Sequence, residues 1–203
     1  METKLAKLIS YIFHPLLIPT YAFILLFNQK AYFAMIIPTA ARWRLLLIVF
    51  IITFVLPLML VLLLKSLNRI KSLQMFERKE RNLPYIVTAW FSFILYLVLN
   101  NTQLSPIYKY FSLGATVLII FAFLVNLKWK ISIHMISIGG LTGMFLGLMM
   151  ISAISNPMYL LSLILIAGLV GFARLKLNAH TQAQVYAGLL SGISLMIILA
   201  FYF

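Results

Sequence analysis

Arg174, His180 and Gln184 stand in the run Ala173-Arg174-Leu175-Lys176-Leu177-Asn178-Ala179-His180-Thr181-Gln182-Ala183-Gln184, between two long apolar stretches. Imidazole is the side chain that can take or give a proton, or attack an electrophile, near neutral pH. If a helix opens at Ala179, His180 and Gln184 share one face, because residues four apart stack in a helix. The Gln184 amide would then bond one ring nitrogen and leave the other free to act. Arg174 supplies a permanently charged fork that matches phosphate oxygens. A histidine beside such a clamp points to phosphoryl chemistry. The plain alternative is an interfacial loop with a positive cluster and one chance histidine.

The composition decides what kind of body must hold these residues. Of 203 residues 64% are hydrophobic, only 9% are charged and the mean hydropathy is +1.09. A soluble domain is far less apolar and far more charged. The sequence therefore reads as an integral membrane protein, an all-α polytopic bundle of six to seven transmembrane helices forming a single membrane domain over 1–203. Apolar runs near 20 residues cross a bilayer as helices because each backbone polar group is then paired internally. The opening Met1-Glu2-Thr3-Lys4-Leu5-Ala6-Lys7 leads into an apolar run with no small-x-small cleavage site, so no removable signal peptide is expected. With no cysteine, disulfides, thiolate catalysis and thiolate metal sites are excluded.

The acids narrow the chemistry further. Only Glu2, Glu77 and Glu80 are acidic, and there is no aspartate. Magnesium-dependent transferases need several carboxylates, and intramembrane proton relays use them too. Acid–base work must fall on His14, His134 and His180, with no metal and no cofactor expected. The net charge of +13 suits membrane lipids with anionic headgroups or phosphorylated lipids. Nucleic acid is a poor partner, since the cations lie in short loops between spans.

Seven spans are expected, at about Ile9–Phe27, Leu45–Leu64, Tyr85–Leu99, Tyr110–Leu127, Ile131–Ser152, Met158–Phe172 and Ala179–Phe203. His14-Pro15 and Pro19 interrupt the first, Pro57 should kink the second, and Tyr32–Ile37 is too short to cross. Glycines 139, 140, 143 and 147 in the fifth span, and 188 and 192 in the seventh, fit close helix packing. That would make the helices bearing His134 and His180 neighbours. Trp43, Trp90 and Trp129 read as interface anchors.

Parity then fixes which loops can meet. The basic segment 65–84, His134 and His180 are separated by two spans each, so all three open on the side that also holds the N-terminus and His14. That side carries Lys4, Lys7, Lys65, Arg69, Lys71, Arg78, Lys79, Arg81, Lys128, Lys130, Arg174 and Lys176; Lys30, Arg42, Arg44 and Lys109 face the other, completing the 16 cations. The positive-inside rule places the richer side in the cytoplasm. A phosphate site needs Lys and Arg whichever way it faces, so charge leaves the orientation open.

Three segments in this order resemble the type 2 phosphatidic acid phosphatase superfamily, whose motifs are K-x6-R-P, P-S-G-H and S-R-x5-H-x3-D. Ala173-Arg174-x5-His180-x3-Gln184 keeps the Arg–His spacing, with Ala for Ser and Gln for the final Asp. Gln in that place is similar to the dolichyl- and polyprenyl-diphosphate phosphatase branch. Ile131-Ser132-Ile133-His134 keeps Ser and His but lacks Pro and Gly; Lys71-x6-Arg78 has Lys79 in place of Pro, and Arg81-Asn82-Leu83-Pro84 is a shifted alternative. The resemblance spans roughly 65–192. It implies a hydrolase of lipid metabolism, acting on a phospholipid or a polyprenyl diphosphate in the bacterial cytoplasmic membrane without a metal.

It also implies roles. His180 would attack phosphorus and form a phosphohistidine, held by Gln184, while His134 protonates the leaving group. Arg174, with Lys71, Arg78 or Arg81, would hold the nonbridging oxygens, and Ser132 would donate to phosphate from a helix start. Since an amide orients a ring but does not stabilise imidazolium as a carboxylate does, the expectation is a slower enzyme, or one whose substrate has a better leaving group, such as a diphosphate over a monophosphate. His14 before Pro15 reads as structural, Lys65, Arg69 and Lys79 as juxtamembrane charges, and Lys128 and Lys130 as either site or snorkelling residues. Two other functions compete: a noncatalytic protein of the same descent that binds anionic lipid or assists envelope assembly, and a transporter, which the missing intramembrane acids disfavour.

Overall fold

Apolar runs fix the architecture. The computed structural model describes residues 2–70 and 77–202, and no strand occurs among them. Seven helices are long and apolar enough to cross a membrane: α1 Glu2–Phe27, α2 Thr39–Ser66, α3 Lys79–Asn100, α4 Pro106–Asn126, α5 Ile133–Met150, α6 Pro157–Lys176 and α7 Gln182–Ala200. The chain is an all-α integral membrane protein with the seven spans its hydropathy predicts.

Several helices run further into polar sequence than hydropathy alone predicts. α1 starts at Glu2 instead of Ile9, α2 at Thr39 instead of Leu45, and α6 continues through Arg174 to Lys176. Each extension has a local cause. Glu2 forms an ion pair with Lys176, joining the start of α1 to the end of α6. At α2, Arg42 folds over three carbonyls, those of Ile37 (2.9 Å), Phe27 (3.2 Å) and Ala34 (2.8 Å), and so fastens the short helix Tyr32–Met35 beneath it.

The expected interruptions are present. α1 breaks after Ile12, passes through a 3₁₀ turn at Pro15–Leu17, and resumes at Ile18. Pro15 lacks an N–H and its ring drives His14 into an extended backbone, φ −65° and ψ 137°. In α2 the turn Ile51–Val55 widens to π geometry, with the Leu56 N–H reaching back to the Ile51 carbonyl. Pro57 cannot bond the Thr53 carbonyl one turn earlier and crowds it, so the distortion falls just ahead of the proline.

α5 and α7 pack backbone to backbone. A Cβ on Gly143 would strike the Ile193 carbonyl, and one on Gly192 the Ile136 carbonyl. Only hydrogen allows helices this close, and the seam runs up from the ends that carry His134 and His180. Towards the other end of the bundle, buried Phe23, Phe27, Phe33, Tyr108 and Phe111 pack ring against ring within the same core, with Tyr108 donating to the Phe33 carbonyl at 3.3 Å.

Candidate active site

The turn between α6 and α7 is short because both of its ends are capped. α6 closes in a Schellman motif: Asn178 takes a left-handed φ of 50°, its N–H meets the Leu175 carbonyl at 2.9 Å, and the Ala179 N–H meets the Arg174 carbonyl at 3.1 Å. Asparagine tolerates that conformation better than most residues. α7 opens on Thr181, whose hydroxyl accepts from the Gln184 N–H at 3.4 Å, while Gln184 Oε1 accepts from the Thr181 N–H at 3.3 Å. This is a capping box. The pattern Thr-x-x-Gln that announces it is plain in the sequence.

That box also sets His180. Its Nδ1 lies 3.0 Å from the same Gln184 Oε1. A carbonyl oxygen only accepts, so Nδ1 carries the proton and Nε2 keeps its lone pair. The placement differs from a shared helical face: His180 precedes the helix, and Gln184 reaches back to it from the third helical position. Capping, not i,i+4 stacking, makes the contact. The ring is 8% exposed. Burial, then the positive charges of Arg81, Arg174 and Lys130, push its pKa down to about 3 against the opposing Gln184 bond. At neutral pH the imidazole is uncharged.

His134 is the second residue of α5. Its Nε2 lies 3.2 Å from the Ser10 carbonyl on α1, so this nitrogen donates and Nδ1 is left over. Arg174, on the last turn of α6, donates from Nη1 to Ser10 Oγ at 3.3 Å, while its buried Nε has no partner among the described residues. One α1 residue thus engages two site residues. His14 stands edge-to-face against His134, with ring centroids 5.6 Å apart and planes at 82°.

These groups share one cavity of about 780 Å³, whose lining includes His14, Lys65, Arg81, His134, Arg174 and His180. Its remaining wall is mainly apolar, with Phe54, Leu58 and Val61 from α2 and Leu118 and Ile119 from α4. Among the described residues no carboxylate belongs to the lining. Lys130, in the link between α4 and α5, feels burial and then Arg81 and Arg174, which together lower its pKa. Among the described residues no three His or Glu side chains gather as a metal-holding group.

The other candidates fall elsewhere. Ser132 occupies the N-cap position of α5, fully buried, its Oγ without a partner among the described residues and outside the cavity lining. Arg78 is also absent from the lining, and its carbonyl accepts from Asn126 Nδ2 at 3.0 Å. Of the two versions of the first motif, the shifted one, Arg81 to Pro84, lines the cavity with both of its ends. Lys71 lies outside the described residues. Sequence reasoning passed over Ser10, whose contribution through a backbone carbonyl leaves no mark in residue type. His14, expected to be structural, does cap the turn Pro15–Leu17, and on the side where parity puts it, it also lines the cavity.

The arrangement can receive an anionic head at its cationic end and an apolar chain along its lower wall, with an uncharged, oriented imidazole at the junction. No family model, curated protein or solved structure matches the chain.

Proposed function

We propose that the protein is an integral membrane phosphatase that hydrolyses a lipid phosphate or polyprenyl diphosphate through a phosphohistidine on His180. The observation that carries this reading is His180 itself: its Nδ1 is held by Gln184, it lines a cavity with Arg81 and Arg174, and its ring is neutral. In the proposed reaction, Nε2 attacks phosphorus as the bond to the leaving oxygen breaks. That oxygen takes a proton from His134, which gains it as the anionic substrate enters the cavity, keeps Nε2–H on Ser10 and donates from Nδ1. Arg81 and Arg174 hold the nonbridging oxygens. Water then cleaves the phosphorus–nitrogen bond, with His134 receiving its proton.

The apolar wall supports a lipid over a soluble phosphate ester, and the cytoplasmic membrane of a bacterium is the proposed setting. A second reading keeps the cavity and omits the turnover. Gln184 provides no negative charge as His180 becomes cationic, which favours a noncatalytic binder of anionic lipid. Phosphate release by purified protein decides between them, using undecaprenyl diphosphate and phosphatidic acid, in EDTA, beside His180→Ala. Release that persists in EDTA and disappears in the variant is expected. No release from folded protein on either lipid would favour the binder.

A further inference from the structure

The first span lies outside the 65–192 stretch that carries the motif resemblance, yet it supplies a third histidine to the cavity. We infer that His14 is a phosphate-binding residue of this site, donating its Nε2–H as a neutral hydrogen bond to a nonbridging oxygen of the bound phosphoryl group. The inference rests on the proposed reading of the cavity as a phosphate site.

The tautomer follows from the kink. His14 caps the 3₁₀ turn Pro15–Leu17, and its Nδ1 accepts the Leu16 N–H at 3.3 Å. An accepting Nδ1 leaves the proton on Nε2. Adding a second proton would place Nδ1–H against the Leu16 N–H and break the cap. His14 therefore works as a fixed neutral donor and not as a source of protons. This separates it from His134, whose bond to the Ser10 carbonyl survives protonation.

A donor needs an acceptor, and among the described residues none bonds His14 Nε2. The ring is half-buried, lines the cavity and stands against His134. Among the described residues the lining contains no carboxylate to accept from Nε2–H. An anion in the cavity satisfies this donor along with the Arg174 guanidinium. The role also gives the His14-Pro15 break a function, since a helical backbone at His14 would not offer its imidazole as a cap.

The test is calorimetric titration of inorganic phosphate into full-length protein in detergent, with thermal stability measured in parallel. His14→Asn retains a cap acceptor for the Leu16 N–H, and its shorter amide cannot place a donor at the Nε2 position. It should weaken phosphate binding roughly 10- to 100-fold, the value of one hydrogen bond to a charged group, with the melting temperature unchanged. His14→Gln, whose amide can donate from near the Nε2 position, should recover part of the loss. Wild-type affinity in His14→Asn, with Arg174→Ala weakened, overturns the role of His14 and leaves the phosphate site standing. Weakening that comes with lost thermal stability and is not recovered by Gln also overturns it, assigning His14 to the fold. Failure of wild-type protein to bind phosphate overturns the site reading and this inference together.

Discussion

The Ser10 carbonyl lies 3.2 Å from His134 Nε2, while the hydroxyl of the same residue receives Arg174 Nη1 at 3.3 Å. One α1 residue thus orients a proposed proton donor through its backbone and a proposed phosphate clamp through its side chain. The two functions can be separated, because only the second depends on residue type. Ser10→Ala should leave His134 in place and free the Arg174 fork. The expected result is a KM several-fold higher with kcat little changed, and about 1 kcal/mol or less of lost stability. Steady-state kinetics on a diphosphate lipid checks this; a fall confined to kcat would show that Ser10 Oγ acts through His134.

His180 gives a pH prediction with a definite sign. Its folded pKa of about 3 lies below the ordinary histidine value of 6.5. The unfolded chain therefore binds a proton here that the folded chain refuses. The stability this group contributes is fully present above pH 6.5 and falls as pH drops from 6.5 toward 3. Between pH 8 and 5 the nitrogen-15 resonances of His180 should stay those of a neutral Nδ1–H ring. A titration near 6.5 in ligand-free protein would refute the neutral nucleophile. Bound phosphate, bringing negative charge, should raise the pKa.

The spans were legible because hydropathy records a strict requirement: in a bilayer every backbone polar group must be paired within the segment. Parity brought Arg174 and His180 to the end of the bundle that holds His134 and Arg81, and they share a cavity. The ends of the spans were less legible. α6 continues through Arg174 and Lys176 because Asn178 sets the stop and Glu2 pairs with Lys176, and hydropathy contains neither fact. The hold on His180 came from a capping box, a signal present at Thr181-x-x-Gln184 but masked by the more familiar helical spacing. The part played by Ser10 could not be read at all, since its carbonyl is common to every residue type and only tertiary packing gives it meaning.

The α5–α7 seam yields a stability prediction with its own control. Gly192→Ala puts a methyl against the Ile136 carbonyl and the Gly140 N–H, backbone that cannot move aside. A loss of about 1–3 kcal/mol is expected, as for overpacking in a tight core. Activity should fall too, because the wedge separates the helices that bring His134 and His180 together. Gly168, on α6, has nothing within 4 Å of its absent Cβ. Gly168→Ala should be neutral or stabilise by up to about 1 kcal/mol through helix propensity. Thermal melts of both variants in the same detergent check the pair; equal behaviour would mean that the seam is not closely packed.

Gln184 is the point at which chemistry and fold depend on the same atoms. Its Oε1 serves both the Thr181 N–H and His180 Nδ1. Gln184→Ala removes both bonds, so about 1 kcal/mol of cap stability and the orientation of the nucleophile are lost together. Gln184→Glu keeps the acceptor, since glutamate also closes a capping box, and adds a negative charge beside the imidazole. That charge would stabilise the cationic ring formed in the proposed attack of His180 on phosphorus. The substitution should raise turnover of a monophosphate lipid relative to a diphosphate, because the poorer leaving group gains more from a stabilised phosphohistidine. It should also raise the His180 pKa, so the low-pH loss of rate begins at higher pH than in the wild type. Rates on both lipids between pH 4 and 8 provide the check. If Gln184→Glu leaves the substrate ratio and the acid limb where they were, the ring that Gln184 holds is not the one that attacks.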